Sequence, residues 1–162
     1  MHPKRFLILF ALLSILATGY IFSNSLKDSE TSHAQSGAVM DMVEPVLTPI
    51  IRQETEEETE KTLSFVVRKA AHFIEFAALG LSVGGFAASL SALRKRRYLM
   101  LPIGLCLAVA CCDELIQSFG DRTNSIKDVA LDMCGSVFGL LCVAAVVWLA
   151  HHKRGGNTQC PS

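Results

Sequence analysis

The chain has 162 residues, fifteen basic and fifteen acidic, yet 51% of it is hydrophobic and only 7% aromatic. This aliphatic excess fits one small helical membrane domain, and the segregation of its charges argues against a nucleic-acid surface. Six cysteines without CxxC spacing give neither a disulfide framework nor a zinc site.

The first apolar run, Phe6–Phe22 (FLILFALLSILATGYIF), follows the basic start HPKR and carries no charge. Its length is just enough to cross a bilayer and no A-x-A-like cleavage site follows at once, so it reads as a retained signal anchor. Residues 23–69 form a polar extracytoplasmic loop holding nine of the fifteen acids. Within it, Val39–Ile51 suits a short segment on the membrane surface, interrupted by Pro45 and Pro49. The acidic run Glu54–Lys61 reads as a solvated loop or a helix start. Further spans are expected at about 70–93, 98–119 and 126–150, with Pro102 tolerated near a helix start and Trp148 as an interfacial anchor.

Four crossings place the N-terminus, the RKRR block Arg94–Arg97 and the C-terminus on one side. Those segments hold eight basic residues and no acid. By the positive-inside rule that side is the cytoplasm, and the location is a cytoplasmic or inner membrane.

With that orientation, the ionisable residues within spans fall near the outer ends. Glu75 lies six residues past Lys69, Asp113 six before Phe119, and Asp132 six after Ile126. At a rise of about 1.5 Å per residue each sits roughly 9 Å below its boundary. Arg68, His72 and Glu75 follow steps of four and three, Asp113 and Gln117 are an i,i+4 pair beside Glu114, and Asp128, Asp132, Gly135 and Gly139 follow four, three and four. Three helices thus carry polar stripes to one level. Charges so close to hydrocarbon must pair, protonate or face water. The cations within reach are Arg68, Lys69 and Arg122, and Arg122, in the turn GDRTNS, has the geometry for a two-point anion contact. Gly135 and Gly139 form a GxxxG spacing that admits a close helix neighbour, within the chain or in a homo-oligomer.

These residues resemble the VanZ-like family of small bacterial membrane proteins. The likeness runs from FSNS at Phe22–Ser25 to the fourth span, and its core is RKAAHFIEF at Arg68–Phe76, DELIQSFGDR at Asp113–Arg122 and SIKDVALDMCGSVFG at Ser125–Gly139. They match, in order, RK-x-x-H-x-x-E-[YF], then DE-x-x-Q and R, then D-x-x-x-[ND]-x-x-G. Phe76 stands where Tyr is frequent in the family, and Asp132 where many relatives carry Asn. The resemblance implies an all-α, four-helix membrane domain, and the family's namesake is associated with low-level teicoplanin resistance. No settled reaction comes with it.

Function divides into two classes. As an enzyme, the layer offers His72 or Glu75 as general base with Asp113 or Glu114 as acid, and Arg68, Lys69, Gln117, Arg122, Asp128 and Asp132 for substrate and anion contacts. The same carboxylates with His72 could instead ligate a divalent metal whose identity the sequence leaves open. As a binding or structural module, the groups would hold an amphipathic ligand or fix helix register without chemistry. Either way the partners are membrane lipids and a lipid-linked or cell-envelope molecule. A small oligomeric transporter fits less well, because Leu81–Leu93, Leu99–Ala110 and Leu140–Ala150 carry no charge. No GxSxG, HExxH or P-loop motif occurs.

Overall fold

A computed structural model describes residues 3–26, 56–95, 98–119 and 126–156. These residues form four helices and no strand: α1 (Pro3–Ser25), α2 (Glu56–Arg94), α3 (Met100–Ser118) and α4 (Ile126–Gly156). Each is long and apolar enough to cross a membrane. The expected surface segment Val39–Ile51 and the turn carrying Arg122 lie outside the described residues.

α2 differs most from its expected span. It is helical from Glu56, well before residue 70, because Leu63, Phe65, Val66 and Val67 continue its apolar pattern ahead of Arg68 and Lys69. Leu63 is buried. The apolar part, Lys61–Arg94, has 34 residues, about 50 Å of helix, more than the roughly 30 Å of a hydrocarbon core, so part of it must project or tilt. Lys69 therefore marks no helix boundary, and counting residues from it does not fix the depth of Glu75.

The helices alternate in direction. Asn24 of α1 meets Glu75 of α2, while Phe10 of α1 lies against Gly85 further along α2, so these two run antiparallel. The contacts of Lys69 with Asp128 and of Gly84 with Leu140 and Val143 show that α2 and α4 run parallel. Lys4, Arg5, Arg94, Lys95 and Lys153 consequently share one end of the bundle, and the conspicuous acids of the spans share the other.

α2 packs most extensively on α4, then on α1. Glycine makes the first of these packings close. A Cβ at Gly139 would strike the carbonyl oxygen of Ala77, one at Gly80 would strike that of Ser136, and Gly135 likewise lies against the backbone of Phe73. Gly135 and Gly139 thus face α2 of the same chain. Small residues here let two backbones approach and raise van der Waals contact where lipid offers no hydrophobic drive. The buried core is Ile21, Phe76, Leu79, Val83, Cys106 and Ala110.

Several hydroxyls within the spans are satisfied by their own helix. Ser14 donates to the Phe10 carbonyl, Thr18 to Ser14, and Ser89 to Gly85, which is how such side chains are tolerated where water is absent.

Replacing Gly139 by Leu is predicted to destabilise the bundle by about 1–3 kcal/mol through overpacking against α2. Gly104, beside which a Cβ would meet nothing within 4 Å, should accept Ala with no loss. Thermal unfolding of both variants in detergent checks this, and equal tolerance at the two positions would contradict the close α2–α4 contact.

Candidate functional site

All four helices send polar side chains into one buried layer at the acidic end. α2 contributes His72 and Glu75, one helical turn apart. α3 contributes Asp113 and Gln117 at i,i+4, and α4 contributes Asp132 and Ser136 in the same register. From α1 come Asn24 and Ser25, the last residues of its helix.

Asp113 is fully buried. Its Oδ1 accepts a hydrogen bond from Ser25 Oγ, and its Oδ2 accepts one from Gln117 Nε2 at 2.7 Å. Gln117 Nε2 also lies 3.5 Å from Ser25 Oγ. Glu75 Oε1 accepts from Asn24 Nδ2 at 2.7 Å. These bonds are the compensation that a carboxylate withdrawn from water requires.

His72 stands between two acids, with Nδ1 3.9 Å from Asp113 Oδ2 and 3.7 Å from Asp132 Oδ1. Both separations exceed a hydrogen bond. Asp132 is 1% exposed, and neither of its carboxylate oxygens has a hydrogen-bond partner among the described residues. Ser136 Oγ, one turn further along α4, is in the same condition.

Toward the bundle end, Lys69 and Asp128 form a part-exposed ion pair, and Lys69 Nζ also lies 5.3 Å from the Phe65 ring centre. Arg68 is exposed, one turn from His72. Glu114 is buried. Below the layer, Ile21, Phe76, Leu79, Cys106 and Ala110 close the bundle with apolar side chains. The five described cysteines are free.

The structure therefore joins His72, Glu75, Asp113, Gln117 and Asp132 in one layer and places Asp128 with Lys69 nearer its rim. Sequence reasoning missed Asn24, Ser25 and Ser136 as members. The signal for the first two was the polar triplet Ser23–Ser25 directly after an apolar run.

Asn24→Ala removes a donor to a carboxylate and is predicted to cost about 2 kcal/mol, whereas Lys69→Ala, which breaks a solvent-accessible pair, should cost less than about 1 kcal/mol. Thermal unfolding of the two purified variants tests the order. Its reversal would mean that the layer is not held as described.

Searches among curated proteins and solved structures found no match. The VanZ/LLP1 family profile matches residues 10–149, which takes in the described helices from Phe10 to Leu149 and all the residues of the polar layer. Four membrane-length helices and that match over most of the chain make this a multi-pass membrane protein of the VanZ/LLP1 family.

Proposed function

We propose that the polar layer is a binding site for the headgroup of a cell-envelope amphiphile, such as a lipid-linked envelope component, opening toward the outer leaflet of the cytoplasmic membrane. In this reading both termini are cytoplasmic, and the activity belongs to an envelope or glycopeptide response like that of the family's namesake. The observation that carries it is the convergence of polar side chains from four separate helices on one buried level above an apolar floor. Ionisable groups are costly at such a depth, and within membranes they commonly mark functional sites.

The chemistry of the layer indicates what it would take. Among the described residues, carboxylates at Glu75, Asp113 and Asp132 outnumber the cations facing them, so the site suits donors, such as the hydroxyls or amine of a sugar-like headgroup. Arg68 and Lys69, nearer the bundle end, suit a phosphate linking that headgroup to its lipid. Held side chains above a closed floor favour binding, or chemistry on a bound headgroup, over passage through the bundle. Transport needs a continuous polar path, and below the layer the buried described residues carry no charge.

In a bacterial host where the protein confers an envelope phenotype, for example altered teicoplanin susceptibility, Glu75→Gln and Asp113→Asn are each expected to abolish the phenotype. Their level in the membrane should stay that of the wild type, as measured by immunoblot. A wild-type phenotype in both variants would overturn the proposal.

A further inference from the structure

We infer that His72, Asp113 and Asp132 form a divalent-cation site. Each offers one ligand atom (Nδ1 of His72 and a carboxylate oxygen of each acid), and these atoms lie within 4.8 Å of one another on three different helices. The two measured approaches, 3.7 and 3.9 Å, are slightly wider than the roughly 3.4 Å between two ligands on a tetrahedral ion with bonds of about 2.1 Å. Small side-chain rotations close that difference.

The second observation is Asp132 itself. Its carboxylate is buried, points at His72, and has both oxygens without hydrogen-bond partners among the described residues. Asp113, by contrast, receives Ser25 and Gln117, the kind of outer support that orients a metal-ligating carboxylate. Two acids so close in a low-dielectric setting repel each other. Of the described cations within reach, Lys69 is engaged by Asp128 and Arg68 is exposed. A cation between the three ligands satisfies both Asp132 and the excess negative charge.

One imidazole and two carboxylates suit Mn²⁺ or Zn²⁺ better than Ca²⁺, which prefers an all-oxygen shell. Three protein ligands also leave coordination positions open to water or to an oxygen of a bound molecule. The inference goes beyond the headgroup reading and does not depend on it.

The test uses the full chain, purified in detergent, stripped with chelator and titrated with MnCl₂ while free Mn²⁺ is followed by electron paramagnetic resonance. One saturable Mn²⁺ per chain is expected. Asp132→Asn and His72→Gln, which keep side-chain volume, should weaken it by more than the roughly tenfold that loss of an outer-shell partner alone can cost. Gly104→Ala, at the opposite end of α3 where a Cβ meets nothing within 4 Å, should leave Mn²⁺ affinity within about threefold of wild type, a free-energy change under roughly 0.7 kcal/mol. Absence of saturable binding, or unchanged affinity in both triad variants with wild-type circular dichroism, overturns the cation site. The two proposals fail separately: saturable Mn²⁺ binding by the unmutated protein together with a wild-type phenotype in both Glu75→Gln and Asp113→Asn counts against the headgroup site alone, and a phenotype lost in both variants while the unmutated protein binds no Mn²⁺ counts against the cation site alone.

Discussion

A carboxylate shut away from water constrains everything around it, and Asp113 is in that position. It is fully buried and is reached by Ser25 from α1 and Gln117 from its own helix. Leaving such a group without donors is costly, so these bonds couple the end of the first helix to the third across 88 residues of sequence. The Asn24–Glu75 bond ties the same end of α1 to α2. Two adjacent residues of one helix therefore hold acids on two others, and the level of the polar layer follows from that pairing.

The close α2–α4 packing completes the arrangement. Backbone contact at Gly80, Gly135 and Gly139 draws α4 against α2, and Asp132, one turn before Ser136, is carried into the buried interior beside His72. Packing by small residues thus leads directly to electrostatics, since it brings a second acid near Asp113 in surroundings that screen poorly. Apolar residues pack directly below the layer, and the proposal of binding rather than passage through the bundle rests on them.

Much of this was legible in the sequence, for reasons that differ by residue. The stripes His72/Glu75 and Asp113/Gln117 follow helical periodicity and stand out against apolar neighbours, so both their faces and their shared end could be read directly. Asn24 and Ser25 could not be recognised in the same way, because uncharged polar residues at the end of an apolar run look like an ordinary exit from the membrane. Their role depends on a partner 51 or 88 residues away. α2 begins at Glu56, inside the acidic run that reads as a loop or a helix start, and continues through Arg68 and Lys69, which resemble a membrane boundary, with Lys69 paired to Asp128. Periodicity showed that Asp132 shares a face with Asp128, but only tertiary packing shows that one is paired near the rim while the other is buried without a donor among the described residues.

The most direct measurement of the central claim is a double-mutant cycle between Ser25→Ala and Asp113→Asn, read from unfolding free energies of the purified protein. If α1 and α3 meet through this bond, the two changes should be non-additive, with a coupling of about 1 kcal/mol or more. Strict additivity would show that the two residues do not touch, and the shared buried layer would be contradicted with them.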